Sequence, residues 1–169
     1  MNKTHIGIDV GKKGGIVIIR SDDNDQYIDT YRTPTIDKEV DINEFYKILS
    51  QYKGTSVHCV LENVHSIFGA GAKSNFQFGF VAGIIEGILA SCKIPYTKIS
   101  PKTWQKEMWQ GISVLKDAKG KTETKKMSLI AAKKLFPNTN LLATTRSTVE
   151  HDGIVDALLI CEFSRRKFN

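Results

Sequence analysis

The sequence predicts an α/β fold, and three observations carry that expectation. β-branched residues alternate at Ile6, Ile8 and Val10, turn through Gly11 to Gly15 and resume at Ile16 to Ile19, which is the pattern of a hairpin. A second run, Ser56 to Glu62, has the short, nearly continuous apolar character of a buried strand. Between and beyond these runs lie stretches with apolar residues three and four apart, so that helices alternate with strands. At 169 residues, 41% apolar and 25% charged, the chain has the size and composition of one folded domain spanning 1–169.

The elements follow in order. Ser21 to Asp25 is a polar hairpin tip. Gln26 to Arg32, with Tyr27, Ile28 and Tyr31, reads as a third strand ended by Thr33-Pro34-Thr35. Ile42, Phe45, Tyr46, Ile48 and Leu49 mark an amphipathic helix that Asp41 or Asn43 caps and Gly54 closes. After the 56–62 strand, Asn63 to Lys73 is a loop rich in Gly and Ala that carries one aromatic, Phe68. Ser74 to Cys92 reads as a long helix capped by Ser74 or Asn75, with Phe76, Phe80, Ile84 and Ile88 as its apolar stripe. Gly79, Gly83 and Gly87 form a second stripe. Each glycine costs about 0.8–1 kcal/mol relative to alanine inside a helix. Three of them in register imply close approach of another backbone, first the protein's own sheet and second the same helix of a partner copy.

Ile94 to Ile99 reads as a short strand with Pro95 near its start. Ser100 then caps a helix with Pro101 at its first position, and Trp104 and Met108 make a core pair. Gly111 to Gly120 is loop. Lys121 to Leu135 is a helix with Met127, Ile130, Ala131 and Leu135 inward, stopped by Pro137. Asn138 to Thr148 is polar, and a last helix runs from about Glu150 to Arg166.

Charge is unevenly spread beneath a net +6. Ser21 to Glu44 holds eight acidic residues against Arg32 and Lys38, whereas Lys93 to Lys134 holds eleven lysines against Glu107, Asp117 and Glu123. An acidic side and a basic side are expected, and a lysine-rich face suits a polyanion, nucleic acid first. A solvated helix surface accounts for such lysines equally well. Gln77, Glu86 and several glycines interrupt the longest apolar stretch, which argues against a membrane span, and Asp9 with Lys12-Lys13 argues against a signal peptide. Three widely spaced cysteines, Cys59, Cys92 and Cys161, suggest neither a zinc site nor a disulfide framework; a reducing cytoplasmic setting is expected.

Four carboxylates are out of place. Asp9 interrupts an apolar strand, Glu62 ends another, and Asp152 and Asp156 lie four apart on one face of the last helix, Asp156 within Ile154-Val155-Asp156-Ala157-Leu158. A buried carboxylate is costly unless it is paired, hydrogen-bonded or metal-bound. Local readings exist for three of them: a turn aspartate for Asp9, a solvated strand end for Glu62, and an N-cap or first-turn dipole partner for Asp152. Asp156 has none. In open α/β sheets ligands gather beyond the carboxyl ends of the strands, where Asp9 and Glu62 both lie. Gathered carboxylates repel. A pair of hard divalent cations relieves that repulsion and, at about 3.5–4 Å apart, serves phosphodiester displacement. The residues thus point to a metal-dependent nuclease.

The whole pattern resembles the RuvC-like Holliday junction resolvases of the RNase H-like, retroviral integrase superfamily, in a phage-type, single-domain flavour. The likeness rests on Asp9 followed by Gly11 to Gly15, on Glu62 ending its strand, and on His151-Asp152-Gly153-Ile154-Val155-Asp156-Ala157-Leu158-Leu159-Ile160 opening the last helix. Phe78-Gly79, Gly83 and Pro101 to Trp104 extend it over nearly the whole chain. The resemblance implies an RNase H-like fold, a five-stranded mixed sheet flanked by helices. It implies a homodimer that resolves four-way DNA junctions by paired symmetric nicks with two Mg²⁺ ions, Mn²⁺ substituting, and Asp9, Glu62, Asp152 and Asp156 as catalytic metal ligands. Many members place the last two ligands three residues apart, and position 153 here is Gly, so His151 stands as a substitute ligand or proton shuttle. The resemblance makes Phe68 a candidate for stacking on an unpaired base and Lys102, Lys121 and Lys125 candidates for phosphate contact. Two other classes remain: an actin-like phosphate-loop ATPase fragment, which ATP turnover without DNA would reveal, and a non-catalytic nucleic-acid-binding module.

Overall fold

The computed structural model describes residues 3–22, 25–63 and 71–168. Among them β1 (Thr4–Asp9), β2 (Gly15–Ser21) and β3 (Gln26–Arg32) form an antiparallel meander, followed by a two-stranded hairpin of β4 (Thr35–Ile36) and β5 (Glu39–Val40). Next come α1 (Ile42–Ser50), β6 (Val57–Glu62), α2 (Ala72–Ser91), β7 (Tyr96–Ile99), α3 (Pro101–Met108), α4 (Thr124–Leu135) and α5 (Asp152–Lys167). The main sheet has five strands in the order β3-β2-β1-β6-β7, with β1, β6 and β7 parallel. It is the mixed sheet that the sequence predicts.

Strand alternation divides the sheet into two faces. Ile6, Ile8, Ile16, Ile18, Cys59 and Leu61 face α1 and α2. Val17, Ile19 and Val60 face the other way, onto α3, α4 and α5. By the same parity His5, Gly7 and Asp9 of β1 point to the α5 side. There Cys161 Sγ donates to the His5 carbonyl and His5 Nδ1 bonds Ser164 Oγ, 3.1 Å in each case. The helix lies against the strand at Gly7: a Cβ there would stand 2.2 Å from the Ala157 carbonyl oxygen and 2.3 Å from the Cys161 nitrogen. The turn after β1 docks on the start of α5 in the same way, through a bridge between Gly14 and Gly153.

Local signals behave largely as expected. Asp41 caps α1 by accepting from the Glu44 amide at 3.0 Å, Ser100 caps α3 with Pro101 behind it, and Trp104 and Met108 are buried. Several readings need correction. The α2 helix begins at Ala72 with Gly71 as its N-cap, because neither Ser74 nor Asn75 is used as a cap. Its buried residues are Val81, Ile85, Ile88 and Leu89, whereas Phe76 and Phe80 are 75% and 51% exposed. Gly79, Gly83 and Gly87 face open space, not the sheet; a Cβ at any of them would meet nothing within 4 Å. In α4, which starts at Thr124 after a Lys116–Thr122 bridge, Ile130 is exposed and Ser128 and Ala132 are buried instead. The β4–β5 hairpin was not legible, since its turn residues Asp37 and Lys38 take positive φ without a glycine. All three cysteines are buried and free. No helix among the described residues is long and apolar enough to cross a membrane.

Glu162 is the one fully buried acid of α5. Burial pushes its carboxyl up, but hydrogen bonds and charge from Arg165 and Arg166 more than offset this and hold it below the usual carboxylate range. The docking of α5 leaves no room for a side chain at its contact with the turn. A Cβ on Gly153 would lie 2.4 Å from the Lys13 carbonyl oxygen and 2.5 Å from the Gly14 carbonyl carbon. Both are backbone atoms that cannot step aside cheaply. Gly153→Ala is therefore expected to destabilise the protein by at least about 2 kcal/mol in urea denaturation; an unchanged midpoint would show that the turn and helix are not in this contact.

Candidate active site

The geometry of the site follows from register. Ile8 pairs with Leu61 across the parallel β1–β6 ladder, and one residue further on each strand lie Asp9 and Glu62. Both side chains belong to the face that α5 covers, where the first turns of α5 bring Asp152 and Asp156. A cleft of about 860 Å³ opens there, lined by Asp9, Asp152 and Asp156 among others.

Asp9 is coupled electrostatically to Glu62, Asp156 and Asp152, although Glu62 is not among the residues that line the cleft. Burial raises the Asp9 carboxyl well above the ordinary aspartate range, and the charges of Glu62, Asp156 and Asp152 raise it further. Burial pushes Asp156 up to about 6; the Ser128 hydroxyl pulls it down, Glu62 and Asp152 push it up, and Lys125 pulls it down. Burial also raises Glu62, against a hydrogen bond of 3.0 Å donated by Trp104 Nε1 to its Oε1. Burial is the cause common to all three, and neighbouring like charges add to it at Asp9 and Asp156. Asp156 Oδ1 is buried with no hydrogen-bond partner.

Each carboxylate has a positioning neighbour. Trp104, predicted only as core, holds Glu62. Ser128, on the inward face of α4, serves Asp156. Lys125, one turn earlier on α4, donates to Asp152 Oδ2 at 2.5 Å. Among the described residues no three His, Cys, Asp or Glu side chains are gathered as a ready-made metal cage. The engagement of Asp152 by Lys125 and of Glu62 by Trp104 holds two members of the set on other partners. The donor set itself is all oxygen, which suits a hard divalent ion.

Asp152 is not the N-cap. His151 takes that role, its Nδ1 accepting from the Ile154 amide at 3.3 Å. This spends one of its two ring nitrogens. Burial holds the His151 imidazole below its ordinary value, Asp152 opposes that, and Arg32 adds to it. Of the lysines singled out in the sequence, Lys125 lines the cleft, whereas Lys102 on α3 and Lys121 before α4 are exposed outside its lining. Phe68 lies outside the described residues. The sequence reading missed Lys12, Lys13, Lys73 and Gln77, which also line the cleft. The first two stand three and four residues beyond Asp9, a spacing that places them beside it in the turn.

No protein-family model matches the chain, and no curated protein matches its sequence. Solved structures do. One is titled as RuvC of T. thermophilus in complex with a Holliday junction substrate, with a TM-score of 0.58 and 11% identity over 98% of this chain and 96% of that one. A second, the RuvC structure of Thermus thermophilus, gives 0.58 and 13% over 96% and 95%. The fold is the RNase H-like fold of RuvC. It spans the chain from end to end, at an identity too low to carry function with it.

Asp9 and Asp156 both titrate higher in the folded protein than unfolded, so the folded state holds more protons between the two values. Stability from these groups is then full below the unfolded pKa and is lost as pH rises through the folded one. For Asp156 the window runs from the unfolded value of 3.8 to about 6, and the difference amounts to roughly 3 kcal/mol. In EDTA the protein is expected to gain stability between pH 7 and pH 5 by urea denaturation, and Asp156→Asn to lose much of that gain. A wild-type profile flat across this window would contradict the described burial.

Proposed function

We propose that the chain is a divalent-metal-dependent endonuclease that resolves four-way DNA junctions by paired symmetric nicks, working as a homodimer. The observation that supports this most is the half-buried Asp9 carboxyl, raised first by desolvation and then by three other acids that belong to β6 and α5. A folded protein has little reason to assemble that repulsion except to bind positive charge. The RuvC-like fold supports the substrate class, since one solved structure of that fold is titled with a Holliday junction substrate.

In this reading Asp9, Glu62, Asp152 and Asp156 hold two Mg²⁺ ions, or Mn²⁺ in their place, and the unpartnered Asp156 Oδ1 is a natural donor. Such ions, when bound, would supply Lewis-acid charge for activating water and for offsetting the departing 3′ oxygen. The protein's own groups do the rest. Ser128 and Trp104 fix the orientation of Asp156 and Glu62. Lys125, paired with Asp152 in the free protein, would serve as a phosphate contact if Asp152 took up a metal ion. His151 stays a cap through Nδ1 and is kept neutral by burial, so its one ring proton sits on Nε2, which can donate a hydrogen bond to a phosphate oxygen. Asp152, not His151, is the fourth ligand. Phe68 stacks on an unpaired base, and Lys102 and Lys121 lie along the outlying duplex.

The homodimer draws support from α2. Phe76 and Phe80 stack at 6.3 Å on its outer face, both exposed, beside the bare backbone at Gly79, Gly83 and Gly87. Such a face permits a second helix to approach closely.

The test is cleavage of synthetic four-way, flap and linear duplex DNA side by side, with and without Mg²⁺. Asp9→Asn is expected to bring Mg²⁺-dependent cleavage of the four-way junction below detection while junction binding is retained. A variant that cuts at the wild-type rate would remove Asp9 from the mechanism.

A further inference from the structure

One carboxylate at the rim is held as a phosphate would be. Glu39, the first residue of β5, is 58% exposed at its side chain, and two donors meet on a single one of its oxygens, Oε2. Lys12 Nζ lies 2.7 Å away and Gln77 Nε2 donates at 3.0 Å. These donors come from the turn after β1 and from α2, which are brought together only by the fold, and both residues line the acidic cleft. Lys12 is only 27% exposed at its side chain, so its ammonium is partly fixed in place. Lys13, Lys73, Lys125 and Asp152 line the same cleft. Glu39 itself lines an adjoining apolar groove of about 420 Å³ that shares Gln77 and Val81 with the cleft. The glutamate thus reaches over the sill between the two.

An ammonium and an amide N–H converging on one anionic oxygen, three residues beyond Asp9, is a binding arrangement for a phosphodiester oxygen. We propose that Lys12 and Gln77 form a phosphate subsite for the DNA strand beside the scissile position, and that Glu39 fills it in the free protein as an intramolecular surrogate that the strand displaces. The proposal rests on the reading of the cleft as a DNA-cleaving site. Displacing the glutamate lowers the net gain from the one phosphate that takes its place, so Glu39 weakens the binding of a strand that reaches this subsite.

The test is equilibrium binding of a labelled four-way junction by fluorescence anisotropy in EDTA across a salt series, with wild type, Lys12→Gln, Glu39→Gln and the double variant. Lys12→Gln is expected to weaken binding and to reduce the salt slope by about one. Glu39→Gln is expected to tighten binding about two- to fivefold, the range of an exposed ion pair. In the double variant the gain from Glu39→Gln disappears, because its cation is gone. A Glu39→Gln protein that binds no tighter, or a Lys12→Gln protein with an unchanged salt slope, overturns the subsite. Loss of affinity through misfolding is told apart by Glu39→Gln, where the expected change is a gain. Wild-type protein that binds and cuts the junction while these variants fail the test sinks the subsite alone; wild-type protein that binds no junction sinks the function with it.

Discussion

The contact of α5 with β1 governs this molecule. The helix rests on the strand where Gly7 has no side chain, and the turn after β1 meets its first residues backbone to backbone at Gly14 and Gly153. Nothing in that approach is adjustable by rotamers. It sets the height of Asp156 and Asp152 above the end of β1, and strand parity then decides that Asp9 and Glu62 look toward them. The acidic cleft is a consequence of packing that is otherwise apolar, with Val155, Ala157 and Leu158 buried on either side of Asp156.

That arrangement carries an electrostatic load. Three acids are pushed above their ordinary range, each chiefly by burial. Partial relief comes from a serine, a tryptophan and one exposed lysine. An exposed ion pair such as Lys125–Asp152 is worth little, and it cannot compensate for the buried members. The cleft is therefore a place where the free protein is less stable than its packing would allow, as binding sites often are. Four lysines, Lys12, Lys13, Lys73 and Lys125, line the same cleft as the acids, so charges of both signs meet there.

Much of this was legible in residues whose neighbours contradict them. Asp156 within an apolar helix and Asp9 within an apolar strand announced themselves, since burying a carboxylate demands a reason. The parallel pairing of β1 with β6, on which the placing of Asp9 beside Glu62 depends, was not legible in the two buried runs themselves, because strand periodicity does not name a neighbour. The outer face of α2 was not legible, because a stripe of Phe and Gly at helical spacing reads as core whether or not a partner covers it. The roles of Ser128 and Trp104 were hidden for a related reason: one looks like a neutral helix residue, the other like simple core, and only the fold brings them to a carboxylate. Glu39 gave no sign at all, as one acid in an acidic stretch whose partner residues lie 27 and 38 positions away.

The central claim is that acids from β1, β6 and α5 repel one another until dications bind. Thermal melting of wild type and Asp9→Asn, in EDTA and then with Mn²⁺, addresses it most directly. The account predicts that Asp9→Asn melts higher than wild type in EDTA, that Mn²⁺ raises the wild-type melting temperature, and that the variant loses most of this response. A variant that melts lower in EDTA yet responds to Mn²⁺ as wild type does would contradict it.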